Sequence, residues 1–283
     1  MLRVDCHFHP NFAFFLPEAV RRWQAKRIWK AFQKRKLDCV FISEHAYKHP
    51  ARSFGTLERY RPNDATTVII PAVEALTKEG IDVIVFSRDT HVYAQRDILT
   101  PFGLPIRKLI DRVRRDPRLH GVIPHPYAPS ETGFLRFRTA TELRKDERTL
   151  HFAEKYNGAL QSLEALLVQL RLAHLLRRFN LRIRHTLTCP AQAVPAGIIA
   201  LGGSDAHHLW DLGSCLRINA PKIRRSFDEL FDVITSGGSG RSFSWESRGR
   251  FPLLTFFVDA MTALRERCIK GFHLYAVDLS QAE

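Results

Sequence analysis

Five apolar runs in the chain each end at a histidine, a glutamate or an aspartate. A run of this kind is typical of a strand buried on both faces, whose C-terminal end delivers one polar side chain into a pocket. Side chains two apart on a strand share a face, so the first run places two histidines on the same side. The five runs cover residues 4–9, 40–45, 68–74, 121–126 and 198–207.

Segments with helical periodicity separate these runs. Pro17 and Glu18 favour a helix start, which predicts a helix over residues 21–36. Residues 106–115 and 160–179 also repeat apolar positions at helical spacing. Strand alternating with helix predicts a parallel α/β architecture.

Length and composition favour a single domain in a reducing compartment. The 283 residues can bury a large core, and the five cysteines form no CxxC pair, which argues against a disulfide framework. The first strand follows Met1 directly, so we expect no secretion signal. Each apolar run is shorter than the roughly 18 residues of a membrane span. We therefore expect a cytoplasmic location and no membrane partner, while the oligomeric state stays open.

The residues at the strand ends suggest a metal site. Asp5, His7 and His9 share one face of the first strand and make half of such a site. A single histidine at a strand end is more often structural than a ligand, but five strands that converge in order favour a ligand set. Imidazoles mixed with carboxylates suit zinc, manganese or iron. The other strand ends would supply His45, Glu74, His125, Asp205 and His207.

The first and last of these motifs, His-x-His at residues 7–9 and Ser-Asp-Ala-His at 204–207, resemble those of the PHP (polymerase and histidinol phosphatase) family of metal-dependent phosphoesterases. The resemblance spans about residues 1 to 216. It implies a distorted TIM-like (β/α)7 barrel over residues 1–250, with a metal cluster at the C-terminal ends of its strands. We expect residues 251–283 to form a helical appendage packed on the barrel. The family also carries a strand near residues 158–164, which we expect to switch to a helix near Glu164.

The resemblance implies a cofactor of two or three divalent transition-metal ions, namely zinc, manganese or iron. One ion would be held by His7, His9, Glu74 and Asp205, a second by Glu74 and His125, and a third by His45 with His207. Adjacent cations bind phosphate oxygens and lower the pKa of a bridging water, so Glu74, Asp205 and His207 are predicted to be catalytic. We predict that Asp5 and Glu44 orient the ligands, with direct metal binding as the alternative.

Two positions depart from the family pattern. The family usually carries an aspartate or histidine a few residues after the first motif, where this chain has residues 11–15 without a strong ligand. It also usually carries a histidine on the strand after the glutamate, where residues 81–86 have none. Asp82 or His91 would have to substitute. A metal-binding accessory module without catalysis is therefore an alternative to the enzyme.

The formal net charge of +14 suggests a polyanionic or phosphorylated partner. The predicted helix over 21–36 has no acidic residue and is either a solvated face or a phosphate-tracking surface on which a tryptophan stacks bases. We expect hydrolysis of a nucleotide or oligonucleotide phosphate, with a small-molecule phosphatase of the histidinol-phosphatase type as the runner-up. The residues predicted to bind phosphate or nucleic acid are Arg21, Arg22, Lys26, Arg27 and Lys30.

Overall fold

The structure is a computed structural model that describes residues 1–128, 133–161, 197–219, 226–235 and 243–246. Most of the helix predicted over 160–179 and the whole appendage predicted over 251–283 lie outside these residues. The division into a barrel and an appendage therefore stays a prediction.

The described residues contain nine strands. Their bounds are β1 (Leu2–Phe8), β2 (Cys39–Ile42), β3 (Val68–Leu76), β4 (Asp82–Ser87), β5 (Leu119–Val122), β6 (Phe152–Asn157), β7 (Ile199–Gly203), β8 (Cys215–Ile218) and β9 (Phe243–Glu246). Seven of them form one sheet in the order β5-β4-β3-β2-β1-β8-β9, and β6 pairs with β7 in a second sheet. In the large sheet β1, β2 and β3 run parallel, whereas β4, β5, β8 and β9 pair antiparallel with their neighbours.

The prediction of a closed (β/α)7 barrel is wrong, because the described strands form an open mixed sheet and a separate two-stranded one. The cause is visible between β3 and β4. Thr77 N–H donates to Ile81 O at 3.0 Å, and Gly80 adopts a φ of 81°. This short turn can join only antiparallel strands, since a parallel pair needs a long crossover. Both strands are buried throughout, so their apolar pattern does not reveal their relative direction.

Seven α-helices lie wholly within the described residues, and two short 3₁₀ helices cover Ala46–Lys48 and Thr90–Ala94. The first begins right after Pro17, as predicted, because proline is suited to a helix start where no N–H is needed. The α-helices are α1 (Glu18–Lys34), α2 (Pro50–Arg59), α3 (Arg96–Leu99), α4 (Ile106–Arg115), α5 (Phe134–Phe137), α6 (Ala140–Leu150) and α7 (Phe227–Thr235).

Helices α1 and α2 pack against β1, β2 and β3 in one hydrophobic cluster. Trp29 and Phe32 of α1 are fully buried and pack with Phe8 of β1. Trp29 Nε1–H also donates to Leu57 O of α2 at 2.9 Å, which ties the two helices together. None of the helices in the described parts of the chain is long and apolar enough to cross a membrane.

Candidate metal centre

The end of β1 brings His7 and His9 together in the interior. Both side chains are fully buried, and their Nε2 atoms lie 3.0 Å apart. Pro10 follows directly and has no N–H to continue the ladder, so the strand ends at this point. The predicted pairing of these two imidazoles on one side of the strand end is therefore present.

Glu74 of β3 lies between two pairs of histidines, His125 with His7 and His45 with His9. Its Oε1 lies 3.1 Å from His125 Nε2 and 3.5 Å from His7 Nε2. Its Oε2 lies 2.6 Å from His45 Nδ1 and 3.7 Å from His9 Nε2. Because β2 and β3 are parallel, His45 and Glu74 emerge side by side and form an isolated bridge.

β7 supplies Asp205 by passing very close to β1. A Cβ on Gly203 would lie 2.3 Å from His7 Cβ, so glycine alone permits this approach. The close approach allows Asp205 N–H to donate to His7 O at 2.8 Å. Asp205 Oδ1 then lies 3.5 Å from both His7 Nε2 and His9 Nε2.

His207 completes a group of three imidazoles. Its Nε2 lies 3.3 Å from His45 Nε2, and both rings stack on His9 with centroids 4.3 Å away. Two members of the wider site, Asp205 with a φ of 50° and His125 with a φ of 31°, occupy the left-handed region that non-glycine residues rarely adopt. Backbone strain of this kind clusters at functional sites.

The seven predicted ligands fall into three overlapping groups whose donor atoms lie within 4.8 Å of one another. His7 and His9 each belong to two groups, so the sites they define are adjacent. The groups are His7 with His9 and Asp205, His7 with Glu74 and His125, and His9 with His45 and His207.

The donor chemistry fits divalent cations. Glu154 Oε1 lies 3.1 Å from His7 Nδ1, so it would accept the Nδ1 proton of a His7 that binds a metal through Nε2. His7 Nε2 faces His9 Nε2, Glu74 Oε1 and Asp205 Oδ1 at 3.0 to 3.5 Å. Imidazole nitrogens and carboxylate oxygens that converge in a buried space suit a shared divalent cation.

Without a metal, protons bind these donor atoms, and neighbouring charges shift the pKa values of Glu74 and His125. Burial opposes ionisation of Glu74, but the charge of His45 and hydrogen bonds from His125 and His7 hold its pKa well below the usual range. Burial likewise opposes the charge of His125, but the hydrogen bond to Glu74 and the charge of Asp205 raise its pKa to about 9. Metal ions therefore compete with protons for these donor atoms.

Asp5 and Glu44, predicted to orient ligands, bind different parts of the site. Asp5 Oδ1 accepts from the backbone N–H of Ser204 at 2.8 Å and of His7 at 3.2 Å, so it joins β1 to the end of β7. Glu44 Oε1 lies 3.8 Å from His9 Nδ1. Both carboxylates lie behind the histidines, and neither belongs to a candidate metal group.

Glu154 is a site residue that the sequence reasoning missed. It lies on β6, which ends at Asn157, so the strand precedes the 158–164 segment in which it was expected and helical residues begin at 158. Glu154 Oε2 accepts from His125 N–H at 2.5 Å and from Asn157 Nδ2 at 3.2 Å. In the sequence, Phe152, Glu154 and Tyr156 occupy alternate positions, as side chains on one face of a strand do, and this was the available signal. The carboxylate, however, lies in mid-strand rather than at the end of an apolar run.

The two suggested substitutes for missing family ligands do not join the described candidate groups. His91 instead pairs with Asp116 at 2.8 Å, and Asp82 begins β4 opposite Leu76. Asn11, at the other departing position, donates from Nδ2 to His207 O at 3.0 Å and accepts from Lys48 Nζ at 2.9 Å. Asn11 therefore forms a hydrogen-bonded bracket between the His207 backbone and the Lys48 side chain.

The predicted basic helix is α1, and its side chains divide between core and solvent. Trp29 is buried, whereas Trp23 is 55% exposed and lies under the Arg27 guanidinium, 4.6 Å from the ring centroid. Arg21 donates to the carbonyls of Phe14 and Leu16, so it holds the loop before the helix. Three other predicted cations, Arg22, Lys26 and Lys30, are exposed and form no ion pair with described residues.

Comparison with known proteins relates the chain to the PHP family. A family model described as PHP-associated matches residues 195–238, which include Asp205 and His207, and this match supports a PHP-family relationship. The crystal structure of PsfC from Pseudomonas syringae PB-5123 superimposes with a TM-score of 0.57, covering 94% of this chain and 99% of that chain. At 19% identity that likeness shows a common fold alone. No curated protein matches significantly.

Proposed function

We propose that the chain is a metal-dependent phosphoesterase. The observation that carries the proposal is the environment of His7 Nε2, which has His9 Nε2, Glu74 Oε1 and Asp205 Oδ1 at 3.0 to 3.5 Å. Such a donor set would hold a divalent transition metal, and its neighbours His125, His45 and His207 would extend it to two or three ions.

Glu74 would bind the ions on both of its sides. Its two oxygens face opposite histidine groups, Oε1 towards His125 and His7, and Oε2 towards His45 and His9. Bound cations would supply Lewis acidity towards a phosphoester and lower the pKa of a water at the site. The buried walls around the histidines and Glu74 exclude bulk water and hold these side chains in one geometry.

We further propose a nucleotide or oligonucleotide phosphate as the substrate. The support comes from charge: the solvent face of α1 carries cations without acidic partners among the described residues, and Trp23 is exposed among them. A phosphate backbone neutralises such a row, and an exposed indole stacks on bases.

The same surface also supports a second candidate, a metal-binding module that binds nucleic acid and does not hydrolyse it. The family match covers only residues 195–238, so it does not discriminate between an enzyme and an accessory protein. A phosphatase of the histidinol-phosphatase type differs from both in needing no extended positive surface.

An activity panel on reconstituted protein tests the proposal. The protein is stripped with a chelator, reloaded with manganese or zinc, and assayed on phosphomonoesters, histidinol phosphate and short oligonucleotides. We expect metal-dependent release of phosphate or nucleotide from the parent, and its loss in His125→Asn. His120→Asn, which alters a histidine of β5 outside the candidate groups, is the matched control and should retain activity. Binding of oligonucleotide without hydrolysis under every metal would favour the accessory module.

A further inference from the structure

An exposed tryptophan stands beside the last predicted ligand. Trp210 is 51% exposed and follows His207 by three positions. Its indole stacks on the imidazole of His208, with centroids 4.5 Å apart and planes 16° from parallel. One face of the indole is thus fixed against the protein. The exposed half of the side chain is accessible to a planar ring, as in proteins that stack bases on aromatic side chains.

A lysine is linked through Asn11 to the backbone of the last predicted ligand. Lys48 Nζ donates to Asn11 Oδ1 at 2.9 Å, and Asn11 Nδ2 donates to His207 O at 3.0 Å. These two hydrogen bonds place the Lys48 ammonium near the backbone of His207, the chain neighbour of His208. Asn11 holds the bracket in a left-handed conformation with a φ of 52°.

We propose that Trp210, Lys48 and Asn11 form a recognition site for the non-reacting part of the substrate, and that this part carries a nucleobase. The inference rests on the proposed phosphoesterase function and specifies its substrate class as a nucleoside phosphate. Trp210 stacks on the base, while Lys48, fixed by Asn11, attracts the phosphate-bearing end towards the histidines. Single exposed aromatic residues are common on protein surfaces. Trp210 differs because its ring is held by His208, the direct chain neighbour of a predicted ligand.

Equilibrium binding separates the base from the phosphate. The probes are the phosphonate analogue of adenosine 5′-monophosphate, with methylene in place of the scissile oxygen, and the corresponding ribose phosphonate. On metal-loaded protein, Trp210→Ala should weaken the adenosine phosphonate about tenfold and leave the ribose phosphonate unchanged. Trp210→Phe should restore most of the difference, because phenylalanine keeps an aromatic face. Phe15→Ala, which removes an aromatic side chain that is 88% exposed, should bind both probes like the parent.

A Lys48 variant tests the phosphate-binding end of the proposed site. Lys48→Met should weaken both phosphonates by a similar factor, since the ammonium acts on the end that they share. Equal losses of both probes in Trp210→Ala, or an unchanged affinity for the adenosine phosphonate, would overturn the proposal.

Adenosine alone tests the ring site independently of the metal and of hydrolysis. Saturating adenosine should quench part of the tryptophan fluorescence of the parent and should quench Trp210→Phe less, which also covers the case in which Trp210→Ala does not fold. Quenching by adenosine in a protein that hydrolyses no phosphoester would refute the proposed function and retain the stack. Hydrolysis without any quenching that depends on Trp210 would support the proposed function and refute the stacking of a base on Trp210.

Discussion

Glu154 Oε1 lies 3.1 Å from His7 Nδ1, and this contact determines which nitrogen of His7 faces the cluster. A His7 that binds a metal through Nε2 would keep its proton on Nδ1, where Glu154 accepts it. The second oxygen of Glu154 accepts from the backbone of His125 and from Asn157. One carboxylate therefore orients ligands of two adjacent groups.

The first prediction is that Glu154→Gln weakens metal binding by about 10- to 100-fold. A glutamine has one acceptor oxygen, so it cannot accept from His7 and from His125 at the same time. Competition with a chromophoric chelator measures the affinity. Glu147→Gln, which alters another buried carboxylate on α6, should bind metal like the parent. Parental affinity in the Glu154 variant would remove its assigned role.

The second prediction concerns the pH dependence of stability in the metal-free protein. The pKa of His125 is raised to about 9 in the folded protein, above its ordinary value of 6.5. The protonated form therefore stabilises the fold below about pH 6.5, and this contribution is lost as the pH rises through about 9. We expect the midpoint of thermal unfolding to fall across this window, with a contribution from His125 on the order of 3 kcal/mol at most.

Variants isolate the contribution of His125. His125→Gln should flatten the decline between pH 6.5 and 9, whereas His120→Gln should preserve it, because burial lowers rather than raises the pKa of His120. Identical pH profiles for the parent and His125→Gln, recorded by calorimetry in the presence of a chelator, would contradict the assigned charge state.

The third prediction concerns the solvent face of α1. Replacing Arg22, Lys26 and Lys30 with glutamine should weaken oligonucleotide binding and reduce the salt slope by about one unit for each phosphate that is no longer neutralised. Hydrolysis of a small phosphomonoester should stay nearly unchanged, because that substrate does not span the helix. The matched control replaces Lys108, Arg114 and Arg115 on α4, which changes the net charge equally. Equal losses in both triple variants would mean that net charge, rather than this surface, attracts the partner.

The fourth prediction is that Glu74→Gln lowers kcat by about a thousandfold or more, since the metals stabilise the transition state by several kcal/mol. The amide keeps the volume of the side chain but removes the charge that both histidine groups share. Circular dichroism should show a folded protein, and Glu147→Gln should retain activity. Turnover like the parent would mean that Glu74 does not connect the ions.

The strand ends and helix starts were accessible from the sequence because each rests on local chemistry. Pro17 is an example, because α1 begins at the next residue. The direction of β4 was not accessible, because strands buried on both faces give the same apolar pattern in either direction. The prediction of a (β/α)7 barrel was wrong because β4 runs antiparallel to β3.

The candidate site was predictable where histidines and carboxylates follow apolar runs, and not where a residue acts from mid-strand. Glu154 gave no such signal, since its role depends on β6 passing behind His7. The bracket formed by Asn11 and Lys48 was also hidden, because the residues are 37 positions apart and meet only through the fold. Contacts of this kind require tertiary structure.

The metal content of the purified protein tests the central claim most directly. Seven donors in three overlapping groups exceed the needs of one ion, so elemental analysis of the parent should find more than one equivalent of zinc, manganese or iron. Glu74→Gln should retain fewer equivalents, and Glu147→Gln should match the parent. Metal content near zero after gentle purification, not restored by adding manganese or zinc, would contradict the account.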